Sequence, residues 1–328
     1  MKQKFTVLDL LSQELKEHDV LDLKCIAGRK GLIRVIEVPN INRPGLALSG
    51  FFESFAYKRI QIFGRGEHAY LRKLEEEGRY ENVRKIFSYE IPCVIFTHGL
   101  TPPQFFVSIA EESGCPVLQT QLPSATFTSR ILRVLNNIFA PREVVHGVLI
   151  EVFGIGVLLL GESGVGKSEA ALELLERGHR LVADDAVEIR CVAGNYLLGT
   201  SANRLLGHHM EIRGLGIINV THLFGVGAIR DEKRIQLVVH LEQWDPEKEY
   251  DRLGSQEKTR DILGVKVPCV EIPIKPGRNI PILIETAAMN ERLKQMGVHS
   301  SREFNEQVMK WLESENVRTI YLHKNHME

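Results

Sequence analysis

Apolar positions in the first third of the chain alternate between helical spacing and short continuous runs. Residues 5–15 carry apolar side chains three and four apart, which predicts an amphipathic helix. The apolar run at 59–63, closed by Gly64 and Gly66, predicts a strand and a turn. Helical spacing returns over 67–87, with a break expected at Gly78. Two more runs, 92–97 and 116–120, are bounded by turn residues and separated by a helical stretch. This order predicts an α/β domain with a largely parallel sheet. A helical segment over 124–139 ends before Pro141 and connects to the rest; the division is expected near Arg130, giving domains 1–130 and 131–328.

The second domain opens with His146-Gly147 and the apolar runs 148–153 and 156–160. A glycine-rich turn, a helix over 167–177 and a strand over 180–183 follow, the strand running into Asp184-Asp185. Runs at 235–241, 269–274 and 280–284 predict further strands, and 300–315 an amphipathic helix. The class is again α/β, with more hairpin character.

Composition narrows the functions available. The 328 residues suffice for two ordinary domains. With 41 basic and 42 acidic residues the net charge is -1, so neither nucleic acid nor anionic membrane is an expected partner. The five cysteines (Cys25, Cys93, Cys115, Cys191, Cys269) form no CxxC pair and suggest free thiols in a reducing compartment. The first twenty residues carry acids through their apolar stretch, unlike a signal peptide, and no apolar run is long enough to span a membrane. A cytoplasmic location is expected.

The strongest chemical signal is Gly161, Glu162, Ser163, Gly164, Val165, Gly166, Lys167 and Ser168, a full GxxxxGK[ST] loop between an apolar strand and a helix. Glycines let backbone amides converge on a polyphosphate, and the helix start adds partial positive charge. Lys167 is placed to reach the β- and γ-phosphates and Ser168 to bind Mg²⁺. Asp184-Asp185 follows after only one helix and one turn, which returns a carboxylate to the γ-phosphate. One acid near Mg²⁺ and another facing an acceptor hydroxyl suit phosphoryl transfer. Glu211, Ile212, Arg213, Gly214, Leu215, Gly216, Ile217, Ile218, Asn219 and Val220 form a glycine-bracketed segment. By its residues alone it is either a metal-and-phosphate clamp or a structural hairpin.

The segment EIRGLGIINV resembles the signature of the HPr kinase/phosphorylase family. GESGVGKS, HGVLIEVFGIGVLLLG, RLVADDAVEI, YDRLG and IPIKPGRN stand in that family's order, and NRPGLALSGFF resembles its N-terminal domain. The resemblance implies the phosphoenolpyruvate carboxykinase-like fold for the second domain, ATP and Mg²⁺ as requirements, the phosphocarrier HPr as protein substrate, and a homohexamer. It implies that Asp185 accepts the seryl proton in phosphorylation and donates it in phosphorolysis, with Glu211 as a second magnesium ligand beside Ser168. His146 and Arg252 take catalytic roles only through the resemblance; alone they read as a structural histidine and a solvated charge. The turn Pro273, Ile274, Lys275, Pro276, Gly277 and Arg278 matches the loop supporting the reverse reaction, in which phosphate releases pyrophosphate. The pair His208-His209 has no counterpart role and reads as solvated. A small-molecule kinase on the same fold and a non-catalytic nucleotide sensor stay open as alternatives.

Overall fold

The short, almost wholly buried strands Ile60–Phe63, Val94–Phe96 and Val117–Thr120 of the first unit reflect a sheet centre covered on both faces, where near-continuous apolar runs replace alternation. The computed structural model describes residues 4–12, 19–203, 209–248, 250, 257–299, 303 and 307–311. Its contacts divide into two units, Met1–Ala140 and Pro141–Glu328. Arg130 lies inside the helix Ser124–Phe139, whose Ile131, Val134 and Leu135 are buried with the first unit's strands. The division therefore follows the helix instead of cutting it.

In the first unit the strand order is Leu23–Ala27, Val117–Thr120, Val94–Phe96, Ile60–Phe63, Ile41–Asn42. The last four are parallel, and Leu23–Ala27 joins antiparallel. Phe63, Val94 and Phe96 pack under the helices Arg65–Glu76, Glu81–Phe87 and Gln104–Glu112, whereas Ile60, Ile62 and Ile95 pack under Ser124–Phe139. The helix expected over 67–87 does break at Gly78, which has φ +63. Glu67 fastens one helix start: it accepts from the Gly64 N–H at 2.9 Å and from Arg43 at 3.0 and 2.7 Å.

The second unit has two main sheets. The six-stranded one has the order Thr259–Ile262, Val265–Ile274, Leu237–Gln243, Ile155–Gly161, Val148–Val152, Arg180–Ala183. The four-stranded one has the order Glu232–Ile235, Tyr196–Ser201, Ala186–Val192, Arg142–His146. The six-stranded sheet buries Val157, Leu159 and Val239 under the helices Lys167–Glu176 and Ile280–Gln295. Its other face, with Leu149, Leu158 and Val238, packs on Val187, Ile189 and Ile235 of the four-stranded sheet.

Two expectations need correcting here. Residues 280–284 begin the helix Ile280–Gln295, not a strand; Asn279 Oδ1 accepts from the Ile282 N–H at 3.1 Å and Pro281 occupies the first turn, a helix-start arrangement. The run at 235–241 is divided between Glu232–Ile235 and Leu237–Gln243, which belong to different sheets. Of the helix expected over 300–315, residues 307–311 are helical, and most of the remainder lies outside the described residues.

Candidate functional site

Strand direction gathers the candidate residues on one edge of the six-stranded sheet. Ile155–Gly161 runs parallel to Leu237–Gln243, which runs parallel to Val265–Ile274; Gly161 pairs with Leu241 and Gln243 with Ile274. Val148–Val152 is antiparallel to both Ile155–Gly161 and Arg180–Ala183. Four carboxyl ends, at residues 161, 183, 243 and 274, thus share an edge with the amino end at Val148. That edge is where open parallel sheets place ligands.

The glycine loop joins Ile155–Gly161 to the helix Lys167–Glu176. Gly161 has φ +147, and a Cβ there would lie 2.3 Å from the Leu241 carbonyl oxygen, so only glycine fits this close approach. Val165 is buried and anchors the loop in the core. Lys167 Nζ donates to the carbonyls of Gly161 (3.0 Å) and Glu162 (2.9 Å), folding over its own loop. Ser168 Oγ donates to Asp184 Oδ1 at 2.9 Å, and the Glu211 N–H approaches Asp184 Oδ2 at 3.4 Å. Burial pushes the Asp184 carboxyl above the usual aspartate range; the Ser168 and Glu211 hydrogen bonds offset part of that, and the neighbouring Asp185 charge adds to the rise.

Asp184 is the residue the sequence reading left without an assignment. The pair itself was visible, but which acid turns inward depends on the backbone between two strands. Asp185 adopts φ +66 and points outward, its side chain 83% exposed. Its Oδ1 lies 3.7 Å from His146 Nδ1, longer than a hydrogen bond. The two are neighbours because His146 pairs with Ala186, and the Gly147 N–H donates to the Asp185 carbonyl at 2.9 Å.

The segment 211–220 forms a hairpin, His209–Ile212 against Gly216–Asn219, turning through Arg213, Gly214 and Leu215. Met210 and Ile212 face the core, while His209 and Glu211 are exposed. Arg213 Nη2 donates to Ser163 Oγ at 3.3 Å, tying the hairpin turn to the glycine loop. Asn219 caps the helix Val220–Phe224 by accepting from the His222 N–H at 2.9 Å, and its Nδ2 meets His209 Nε2 at 3.2 Å.

The 273–278 turn continues the strand Val265–Ile274, and Arg278 Nη1 donates to the Pro273 carbonyl at 3.1 Å. Lys275 Nζ lies 5.3 Å from the centre of the Trp244 ring, which stacks on Tyr250 at 4.9 Å. Lys248 ties this arm to the sheet through Glu242 (2.8 Å) and Glu271 (3.1 Å). Arg252 and His208 lie outside the described residues.

The oxygen donors Ser168 and Asp184, 2.9 Å apart, fit Mg²⁺, which keeps several waters and needs only one or two protein carboxylates besides phosphate oxygens; Glu211 adjoins them through its backbone N–H. Among the described residues no group of three or more His, Cys, Asp or Glu side chains is gathered as a metal cage. None of the described helices is long and apolar enough to cross a membrane, and all five cysteines are free.

Two family models match the chain: HPr Serine kinase N terminus over residues 7–135 and HPr Serine kinase C-terminal domain over residues 137–308. The chain is 59% identical over 312 residues to the HPr kinase/phosphorylase of Treponema pallidum (strain Nichols), covering 95% of this chain and 98% of that protein. It is 52% identical over 307 residues to the HPr kinase/phosphorylase of Leptospira biflexa serovar Patoc (strain Patoc 1 / Ames), covering 93% and 95%. The solved structure of the Hpr(Ser) kinase/phosphatase from Coxiella burnetii aligns with 50% of this chain and 99% of that one, at 39% identity and a TM-score of 0.44.

Proposed function

We propose that this chain, which belongs to the HPr serine kinase family over both of its units, transfers the γ-phosphoryl of ATP to a serine of the phosphocarrier protein HPr. The carrying observation is the 2.9 Å bond from Ser168 to Asp184, which brings the acid pair to the start of the loop helix. In this reading ATP takes the place of the two loop carbonyls as the partner of Lys167. Ser168, Asp184 and Glu211 hold Mg²⁺, which when bound neutralises charge on the β- and γ-phosphate oxygens. Arg213, anchored to Ser163, keeps the hairpin against the loop.

Asp185 accepts the proton of the attacking seryl hydroxyl. An outward-facing carboxylate can meet a hydroxyl on a separate protein, which the inward Asp184 cannot. His146 stands beside it to orient that carboxylate. Positioned proton transfer of this kind is worth about 10²- to 10⁴-fold in rate. Arg252 is assigned to the charge on the transferring group.

The same residues run the reverse reaction. A phosphate oxygen attacks the phosphorus of phosphoserine, the bond to the seryl oxygen breaks, Asp185 returns its proton, and pyrophosphate leaves. The 273–278 turn, with Lys275 and Arg278, is assigned to this direction. A cytoplasmic homohexamer completes the reading, tested by mass in solution. The decisive experiment incubates the protein with HPr, Mg²⁺ and γ-labelled ATP, then with unlabelled phosphate. Label on an HPr serine, then released as pyrophosphate, is expected. Label only on a small metabolite, or tight ATP binding without turnover, would refute the proposal.

A further inference from the structure

Two neighbouring strands of the first unit, Ile41–Asn42 and Ile60–Phe63, run parallel, and the chain leaves both at the same edge into helices on the same face. Open α/β sheets bind ligands in crevices outside such carboxyl ends. A cleft of about 160 Å³ lies there, lined by Gly45, Leu48 and Ser49 from one connection and Gly66, Glu67 and Tyr70 from the next. None of these residues takes part in the reaction proposed above.

The fold itself does not call for two of the glycines. Gly64 is buried, and a Cβ on it would stand 2.9 Å from Ser124 Oγ and 3.0 Å from Arg43 Nη2, so packing accounts for that one. Gly45 opens the helix Gly45–Leu48, and Gly66 lies in the first turn of Arg65–Glu76. Neither has a positive φ, and a Cβ on either would meet nothing within 4 Å. Alanine is the better helix former at such positions. A glycine without a backbone reason is expected where another group comes close to the main chain, and both of these open onto the same cleft.

Size and charge select the occupant. An aliphatic cavity of roughly 150 Å³ takes up one benzene molecule, so the cleft has room for a single ring. Leu48 and the Tyr70 ring offer it apolar contact. Glu67, only 9% exposed, carries the charge of the lining, and Arg43 neutralises it through hydrogen bonds of 3.0 and 2.7 Å. An ionic ligand therefore meets no unmatched counter-charge here. Ser49 Oγ donates to the Leu46 carbonyl at 2.8 Å, so toward the cleft it accepts, as the Glu67 carboxylate does. We propose that this cleft binds an uncharged single-ring molecule carrying a hydroxyl or amino donor, which gives the first unit a ligand of its own.

Phenol is the probe and benzoate its charged counterpart, with saturation-transfer NMR on the full-length protein as the readout. Phenol is expected to saturate with a Kd of about 1 mM, within reach of so small a ligand, and benzoate to bind at least about tenfold more weakly. Gly66→Leu fills the cleft from a position where leucine suits a helix better than glycine does. It should melt no earlier than wild type and weaken phenol about tenfold or more. Gly45→Ala intrudes less and should weaken phenol about two- to fivefold, which keeps the test open if the larger side chain disturbs folding. Phenol that does not saturate by about 10 mM, phenol binding unchanged in both variants, or benzoate bound as tightly as phenol overturns the assignment. The readout is binding alone, so it stands apart from transfer to HPr.

Discussion

Asp185→Asn separates chemistry from architecture unusually well. Asp185 is 83% exposed, and its nearest side-chain partner is His146 at 3.7 Å, so few contacts are lost. Its backbone sits at φ +66, a region that asparagine tolerates best among non-glycine residues. The Asn variant should keep its stability to within about 0.5 kcal/mol. Asp185→Ala removes the same carboxylate but adds left-handed strain of roughly 1–2 kcal/mol, so it should melt earlier. Neither change touches Lys167 or Ser168, and ATP affinity should stay close to wild type. Transfer to HPr should fall by about 10²- to 10⁴-fold in both variants. The assay pairs nucleotide titration and thermal melts with single-turnover transfer to HPr. Asn activity above about a tenth of wild type would refute the proton-acceptor role, since general-base catalysis is worth far more. Equal melting of the two variants would refute the strain argument.

Three further outcomes follow from other contacts. Asp184→Asn should abolish the thermal shift produced by Mg²⁺ with nucleotide; because burial raises the Asp184 pKa, the native state holds that proton more tightly than the unfolded chain. Its stabilising contribution is present at low pH and lost as pH rises through the raised value, so metal-free Asn protein should be at least as stable as wild type at neutral pH. Glu67→Gln should cost the first unit about 1–2 kcal/mol. Burial alone would raise the Glu67 pKa, but the hydrogen bonds from Arg43 and Gly64 lower it overall, so this stability is present above the ordinary glutamate value and lost as pH falls through the lowered one. Melts should therefore converge with wild type in strong acid. Lys275→Ala should weaken phosphorolysis about ten- to a hundredfold, the scale of one charged hydrogen bond, and phosphorylation less; equal losses in the two directions contradict its assignment.

What the sequence disclosed depended on how local the cause was. The glycine loop and its helix are specified within a dozen residues, and the structure places them where the motif predicts. The glycines of 211–220 marked a turn, but the contact from Arg213 to Ser163 joins segments fifty positions apart and leaves no local trace. The helix Ile280–Gln295 was misread because its first residues, IPILIE, are a short apolar run; Asn279 and Pro281 held the correcting signal. The inward turn of Asp184 follows from strand pairing across two sheets, which no periodicity encodes.

The chain passes from the four-stranded sheet to the six-stranded sheet between His146 and Val148, with only Gly147 between, and back from the latter to the former between Ala183 and Ala186. Those crossings lie side by side, bridged by the Gly147 N–H, and a Cβ at Gly147 would come within 2.6 Å of the Leu159 carbonyl oxygen. His146 and Asp185 therefore flank two adjacent crossings whose backbones are tied to each other. Any side chain at position 147 would have to push this crossing away from Leu159, so a substitution there is expected to displace His146 and Asp185 together.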